Sequence, residues 1–268
     1  MVSATFRFYG ELNDFLARAR RGHAFATPCA RAATTKHMVE ALGVPHTEVE
    51  LVLVNGEPAG LDDILKEGDR VAVYPRFTTL DVADVARLSQ RPPGRVRFVA
   101  DAHLGGLARL LRMAGFDTLY RNTLNDAEVE AIAVVDARAV LTRDRELLKR
   151  RGVDYGCYVR AQKAEAQLRE VVERFGLAER VRPFTLCLSC NAPLRPVAKA
   201  DVLDRLPPRV AATQDEFSTC DCCHRVFWKG SHWQRMAGVL DTILRDAGDA
   251  DGPHCDTLAT RTSHPSTA

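Results

Sequence analysis

The sequence predicts an α/β protein whose centre is a parallel sheet, with a smaller sheet unit before it and a cysteine-rich unit after it. Apolar runs alternate with amphipathic helical runs between residues 97 and 151. The first 77 residues show a strand–strand–helix–strand–strand pattern, and two CxxC pairs lie beyond residue 183. The predicted boundaries are 1–77 for the first unit, 78–94 for a linker, 95–182 for the central domain, 183–244 for the cysteine-rich unit and 245–268 for a disordered tail.

The composition is that of a globular protein with a sizeable core and no membrane segment. The chain has 268 residues, 46% of them hydrophobic, but no apolar run reaches the roughly 20 residues that a transmembrane helix needs. A net charge of +2 gives little overall attraction for nucleic acid, so any basic binding surface must be local. Because the two CxxC pairs lie close together, the eight cysteines favour a metal site over disulfides, and no secretory signal is apparent. We therefore expect a cytoplasmic protein, whose oligomeric state stays open.

The central stretch alternates strands and helices. Phe98–Ala100 is an apolar run that ends at Asp101, and leucines at helical spacing follow it up to Gly115. The later predicted elements are a strand at Asp117–Tyr120, a helix at Asp126–Ala137, strands at Ala139–Leu141 and Gly156–Val159, and a helix at Lys163–Phe175. Short connections between the strands imply right-handed crossovers, and hence a parallel sheet.

Three aspartates are expected to meet at one edge of this sheet. Asp101 and Asp144 lie just past the first and third strands, and Asp126 follows the second strand at the start of its helix. The carboxyl ends of parallel strands form one rim, beyond which ligands bind. Because close carboxylates repel, such a cluster usually holds a hard cation, here Mg²⁺ or Mn²⁺. Asp117 and Asp136 are expected at the opposite end, outside the site.

Basic residues beside these acids suit a substrate that carries phosphate. Arg121 follows the second strand, and Arg143 and Arg145 flank Asp144. Acids that hold a metal, next to bases that hold a polyanion, indicate a phosphodiesterase site. The alternative is that the three aspartates are ordinary helix-cap and turn residues, but their shared rim favours the metal site.

Four runs of the central stretch carry a family resemblance: FVAD at 98–101, LGGLAR at 104–109, LRMAGFD at 111–117 and LTRDR at 141–145. Together they resemble a PIN-like nuclease family, the one named after the C-terminal region of the Mut-seven exonuclease. The resemblance implies a metal-dependent ribonuclease with Asp101, Asp126 and Asp144 as its acids. It also implies a catalytic role for Thr142, in the place of the Ser or Thr that precedes the third acid. The wider fold often has a fourth acid, for which Glu128 is a weak candidate.

The first unit is predicted to be a β-grasp sheet that holds one helix. Strands are predicted at Thr5–Tyr9, His23–Thr27, Glu50–Val54 and Arg70–Tyr74, with a helix that Thr34 or Thr35 caps and Gly43 closes. The runs GVPH at 43–46, VNG at 54–56 and GDRVAVYP at 68–75 resemble the ubiquitin-like domain often found in front of the same nuclease family. The resemblance implies a module that binds a protein partner or guides substrate.

The two CxxC pairs predict a structural zinc site. Cys187 with Cys190 and Cys220 with Cys223 supply four thiolates, which suit tetrahedral Zn²⁺, and Cys222 is taken as a bystander. Redox use of one pair is the alternative. Two matched pairs in a small region with little core of its own favour zinc.

Aromatic and basic residues interleave after the second pair, in the run RVFWKGSHWQRM at 225–236. Such a pattern is typical of surfaces that stack bases and contact phosphates, with Trp233 and Arg235 as candidate RNA contacts. The alternative is that Val226–Trp228 form a last strand that packs a small core. The run also resembles the zinc-ribbon end of the same nuclease family.

The function predicted from these observations is a PIN-like, metal-dependent ribonuclease whose RNA substrate is held by the zinc ribbon, with Thr142 orienting water. A first alternative is an RNA- or ribosome-binding protein that does not cut. A second is a phosphotransfer enzyme that uses Asp101 as acceptor, which His103 disfavours because such enzymes have a second aspartate at that position.

Overall fold

The computed structural model describes residues 1–76 and 96–249. The predicted linker at 78–94 lies outside the described residues, as do residues 250–268 of the predicted tail.

The first unit is a β-grasp sheet around one helix, as predicted, and it has five strands where four were predicted. Its elements are β1 (Val2–Phe8), β2 (Phe25–Cys29), α1 (Thr35–Ala41), β3 (Leu51–Val54), β4 (Glu57–Pro58) and β5 (Arg70–Tyr74), with sheet order β2-β1-β5-β3-β4. Thr34 is the residue that caps α1, because its hydroxyl accepts a hydrogen bond from the backbone N–H of His37. Asn55 and Gly56 both have positive φ and turn the chain from β3 into β4.

The central domain is a four-stranded, fully parallel sheet, which confirms the predicted fold class. Its elements are β6 (Phe98–Ala100), α2 (Gly105–Met113), β7 (Thr118–Leu119), α3 (Asp126–Asp136), β8 (Ala139–Thr142), α4 (Arg145–Leu148), β9 (Gly156–Tyr158) and α5 (Ala164–Phe175). The strand order is β7-β6-β8-β9. The chain moves from β6 to one side for β7 and then crosses to the other side for β8, so β6 and β8 flank a topological switch point.

Helices cover both faces of this sheet. On one face, Phe98 and Leu141 pack with Leu107 of α2 and Leu168 of α5. On the other face, Val99 and Val140 pack with residues of α3 and α4. Because successive strand residues point to opposite faces, a sheet buried on both sides needs the continuous apolar runs that the sequence shows.

The C-terminal part is a small antiparallel sheet followed by a long helix. Its elements are β10 (Leu194–Val197), α6 (Pro208–Thr213), β11 (Phe217–Cys220), β12 (Val226–Trp228) and α7 (Ser231–Asp249). The strand at Val226–Trp228 is the one that the alternative interpretation of this run predicted. None of the described helices is long and apolar enough to cross a membrane.

Helix α7 corrects two predicted boundaries. It continues through the predicted start of the tail at Arg245, and it belongs with the central domain more than with the ribbon. Met236, Leu240 and Ile243 are buried against the core that α2 and α5 form. Their spacing of four and three residues gives one apolar helix face.

The β-grasp domain is fixed to the central domain through Glu48. This side chain is 2% exposed, and its carboxylate accepts hydrogen bonds from the backbone N–H of Tyr158 (2.8 Å) and from the Arg160 guanidinium (3.1 Å). Arg174 lies 4.0 Å from the same carboxylate and donates to the carbonyl oxygen of Thr47. A buried carboxylate is stable only when it is paired and hydrogen-bonded, so Glu48 holds the two domains in one arrangement.

Replacing Glu48 with alanine should destabilise the protein by about 3 kcal/mol, because Arg160 and Arg174 would keep their charges without the buried partner. The free energy of unfolding in urea measures this. Glu57→Ala, at an exposed position of β4, is the matched control and should change it by less than about 0.5 kcal/mol. Equal losses in the two variants would show that the domains are not joined through Glu48.

Candidate functional site

The adjacent strands β6 and β8 bring Asp101 and Thr142 together. The two strands are in parallel register, with Ala100 opposite Leu141, and the backbone N–H of Asp101 donates to the carbonyl oxygen of Leu141 at 3.0 Å. Asp101, which follows Ala100, and Thr142, which follows Leu141, therefore lie at the same rim, at the carboxyl ends of the strands. This rim lies at the switch point, where open parallel sheets bind their ligands.

The Thr142 hydroxyl joins two of the three predicted acids. It donates to Oδ2 of Asp101 at 2.7 Å and accepts from the backbone N–H of Asp144 at 2.9 Å. Thr142 is fully buried and Asp101 is 8% exposed. A hydroxyl has one proton, so in this arrangement Thr142 holds Asp101 and Asp144 in place and has no proton left for another acceptor.

The other two acids have different local surroundings. Asp144 is exposed and is the N-cap of α4, because its Oδ1 accepts from the backbone N–H of Glu146 at 2.8 Å. Asp126 is the first residue of α3 but does not cap it, since Asn125 does. The Asp126 carboxylate instead lies 3.6 Å from the Arg150 guanidinium, at the partly exposed end of the helix.

These acids do not form one tight carboxylate cluster. Among the described residues, the only group of three or more potential ligands whose atoms lie within 4.8 Å of one another consists of four cysteines. A cation bound directly by all three aspartates at once therefore does not fit. A hydrated Mg²⁺ keeps several waters and needs only one or two carboxylates, so the separation of the three acids does not exclude it.

The remaining acids of the region have structural partners. Glu128 completes a capping box with Asn125, accepting from its backbone N–H at 2.9 Å, so its carboxylate is already used at the start of α3. Asp117 pairs with Arg138 at 2.7 Å at the other end of the sheet. Burial alone would raise the pKa of Asp117, but hydrogen bonds from Arg138 and Asn191 hold it below its usual value. Asp117 thus acts in the fold, away from the rim.

The predicted basic residues lie near the rim with different partners. Arg143 donates to the side-chain oxygen of Gln162 at 2.7 Å, and Arg121 is exposed. Arg145 donates to the carbonyl oxygen of Phe15 at 3.2 Å, and thereby contacts the β-grasp domain. These acceptors are neutral, so they do not compensate the positive charges of Arg143 and Arg145.

The four cysteines of the two CxxC pairs converge as predicted. The sulfurs of Cys187 and Cys223 are 3.5 Å apart and those of Cys190 and Cys220 are 3.4 Å apart, while Cys222 is exposed. In a tetrahedral zinc site with Zn–S bonds of about 2.3 Å, neighbouring sulfurs are about 3.8 Å apart. The donor set and its spacing therefore fit a tetrahedral metal site.

The two CxxC segments, Cys187–Cys190 and Cys220–Cys223, are called the first and second knuckle, and both contain the same turn. The residue after each second cysteine, Asn191 and His224, has a positive φ and donates its backbone N–H to the carbonyl oxygen of Cys187 or Cys220. Burial raises the pKa of Cys187 to about 12. Burial acts in the same direction on Cys220, but backbone N–H groups of Cys223 and Cys222 lower its pKa to about 7. One thiol that ionises near neutral pH is suited to take up a metal first.

The ribbon is fastened to the opposite edge of the sheet from the β-grasp domain. Arg112 is buried and donates to the carbonyl oxygens of Thr118 (2.9 Å) and of Ser189 in the first knuckle (2.9 Å). The side-chain oxygen of Asn191 accepts from the backbone N–H of Thr118 at 3.0 Å. The first knuckle thus covers the amino end of β7, away from the rim.

Comparison with known families identifies both main units. A family model described as "Mut7-C RNAse domain" matches residues 96–240, and one described as "Mut7-C ubiquitin" matches residues 1–81. The chain belongs to the Mut7-C RNAse domain family. No match was found among curated proteins or among solved structures.

In this Mut7-C protein, Trp233 and Arg235 do not join the acid rim. Trp233 packs against Phe184, with ring centroids 4.8 Å apart, and Lys229 lies over its ring. It lines a largely apolar groove of about 860 Å³ between the ribbon and α7, which none of the rim aspartates lines. Arg235 is exposed on α7. The RNA contacts predicted from this run therefore belong to a separate surface.

Apart from Thr142, the residues that position these sites leave little signal in the sequence. Glu48, Arg112 and Asn191 act through backbone groups of distant segments. The Thr142 hydroxyl donates to the Asp101 carboxylate and accepts from the Asp144 backbone N–H, and its predicted role in orienting water stays a prediction. The one local signal was the position of Asn191 directly after a CxxC pair, where asparagine tolerates positive φ.

Replacing Thr142 with valine should lower any metal-dependent activity of the Mut7-C domain by about a hundredfold, because Asp101 and Asp144 lose their shared partner at nearly constant volume. The free energy of unfolding should fall by about 1–3 kcal/mol. Thr142→Ser keeps the hydroxyl and should retain most activity. Activity lost equally in both variants would mean that the methyl group, not the hydrogen bonds, is what matters.

The Cys220→Ser variant should lose bound metal, which we expect to be one zinc ion in the wild type, because three thiolates hold the ion much less tightly than four. Metal content by mass spectrometry and the thermal midpoint report this directly. Cys222→Ser is the matched control, since Cys222 is exposed and outside the cluster. Full metal content in Cys220→Ser would remove Cys220 from the ligand set.

Proposed function

We propose that this protein is a metal-dependent ribonuclease that hydrolyses RNA phosphodiester bonds at the rim formed by Asp101, Asp126 and Asp144. The observation that carries this proposal is the hydrogen-bonded unit of Asp101, Thr142 and Asp144. It lies at the switch point of a parallel sheet in a chain of the Mut7-C RNAse domain family.

In this proposal Asp101 and Asp144 are the main ligands of a Mg²⁺ or Mn²⁺ ion. Such an ion, when bound, polarises a phosphate and lowers the pKa of water. Asp126 contributes from the neighbouring helix, either through water or after leaving Arg150. Thr142 is a positioning residue, since its buried hydroxyl is engaged on both sides.

The arginines near the rim hold the substrate. Arg143 and Arg145 follow β8 directly, and Arg121 follows β7, so all three lie at the carboxyl end of the sheet. Arg143 and Arg145 donate to neutral acceptors and Arg121 is exposed to solvent, so all three guanidinium groups are available to neutralise phosphate groups.

The flanking units support this role in the proposal. The four-cysteine cluster holds structural Zn²⁺, and the ribbon with α7 offers Trp233 and Arg235 as a second contact surface for RNA. The ubiquitin-like domain is proposed to guide substrate or bind a protein partner. Free thiolates at a metal site suit a reducing compartment, and we propose that the protein acts in the cytoplasm.

A second candidate function is RNA binding without cleavage. It is favoured by the spacing of the acids, which do not lie within 4.8 Å of one another in the described chain, and by the use of Glu128 as a helix cap. The two functions differ in a single measurable property, the metal-dependent breakage of RNA.

The Asp144→Asn variant should lose at least about a hundredfold of Mn²⁺-dependent cleavage of labelled RNA, because the amide cannot replace a carboxylate as metal ligand. Asparagine caps a helix as well as aspartate does, so α4 should remain folded. Gel analysis of RNA products with and without EDTA gives the result.

Asp154→Asn provides the control, since Asp154 is exposed in the loop before β9 and lies away from the rim. It should cleave as the wild type does. Equal cleavage by wild type and Asp144→Asn would remove the catalytic assignment, and RNA binding without any metal-dependent cleavage by the wild type would favour the second function.

A further inference from the structure

A basic cleft lies between the β-grasp domain and the central domain. It has a volume of about 690 Å³ and opens beside the acid rim, since Arg145, which lines it, directly follows Asp144 in the chain. Residues of both domains form it. The charged side chains among its lining residues are Asp14, Arg18, Arg21, Arg145 and Arg160.

Three of the four arginines keep their charge uncompensated. Arg21 donates to the carbonyl oxygens of Leu16 and Asp14, and Arg145 donates to that of Phe15, so both are oriented by neutral acceptors. Arg18 is exposed, and its side chain makes no hydrogen bond or ion pair with the part of the chain that the structure describes. With Asp14 as the acid of the cleft, the net charge remains positive.

The fourth arginine fixes the shape of the cleft. Arg160 pairs with the buried Glu48, and its guanidinium lies 5.1 Å from the centroid of the Phe15 ring. Phe15 also meets Tyr158 of β9 edge to face, with ring centroids 5.2 Å apart. Because these contacts join the two domains, Arg21, Arg145 and Arg160 are held in place before any ligand arrives, which lowers the entropic cost of binding.

We propose that this cleft binds the phosphate backbone of single-stranded RNA, and that the ubiquitin-like domain thereby supplies part of the substrate-binding surface. The inference rests on the proposed function in taking RNA as the substrate of the rim. A polyanion that reaches the rim beside Asp144 meets Arg145 next, then Arg18 and Arg21 on the other domain. Guanidinium groups suit phosphate because they present several donors in one plane.

The test measures binding separately from cleavage. A fluorescein-labelled single-stranded RNA of roughly 16 nucleotides, the length that small single-strand-binding folds cover, is titrated with the full chain in buffer without added Mg²⁺ or Mn²⁺ and followed by anisotropy. Arg18→Ala should weaken binding about fivefold and reduce the slope of log Kd against log salt by about 0.7, the loss of one phosphate contact. Arg18→Glu should weaken it further.

The matched control is Arg31→Glu, an exposed arginine of the same domain that does not line the cleft. It carries the same charge change and should bind within about twofold of the wild type. Thermal unfolding confirms that all variants are folded, which is expected because both side chains are exposed.

The outcomes separate this inference from the ribonuclease itself. Binding that Arg18→Glu leaves unchanged, or that Arg31→Glu weakens as much, would overturn the cleft as an RNA site. Failure of the wild-type chain to bind this RNA would do the same. Binding that depends on Arg18 in a protein that never cleaves RNA would support the cleft and remove only the catalytic proposal.

Discussion

The backbone groups at the two edges of the central sheet need hydrogen-bond partners, and the two flanking units supply them. A parallel sheet of four strands leaves backbone groups of β7 and β9 without strand partners, and such edges must be covered to prevent pairing with other chains. Here each edge is covered by a side chain from a flanking unit. Glu48 accepts the Tyr158 N–H of β9, and Asn191 accepts the Thr118 N–H of β7. The ubiquitin-like domain and the ribbon thus each satisfy a backbone group at one edge of the central sheet.

The two flanking units approach opposite ends of the strands. Tyr158 is the last residue of β9, at the carboxyl end where the acid rim lies, whereas Thr118 is the first residue of β7, at the amino end. The β-grasp domain therefore stands beside the rim, and the first zinc knuckle stands behind the sheet. This asymmetry makes the N-terminal domain the better placed of the two to meet a substrate that enters the rim.

Much of this arrangement could be predicted because its signals are local. Alternating apolar runs and the position of Asp101 and Asp144 after strands are enough to predict the parallel sheet and a shared rim, and the CxxC spacing predicts the cysteine cluster. Pairings between distant segments leave no such signal. Nothing near Glu48 or Asp126 in the sequence indicates Arg160 or Arg150 as partners, and the apolar face of α7 lies within a polar segment.

In the proposed function, the surroundings of the three aspartates rank them as cation ligands. Asp101 is nearly buried. Within the described chain, the only hydrogen bond to its carboxylate comes from the neutral Thr142 hydroxyl, so no positive group compensates its negative charge. A bound cation stabilises such a buried, uncompensated carboxylate more than it stabilises an exposed or paired one. Asp126 already forms an ion pair with Arg150 and is partly exposed, so a bound cation stabilises its carboxylate least of the three. The Thr142 hydroxyl also accepts from the backbone N–H of Asp144, and a hydrated Mg²⁺ needs only one or two carboxylates, so in the proposed function Asp101 and Asp144 are the main ligands of the ion.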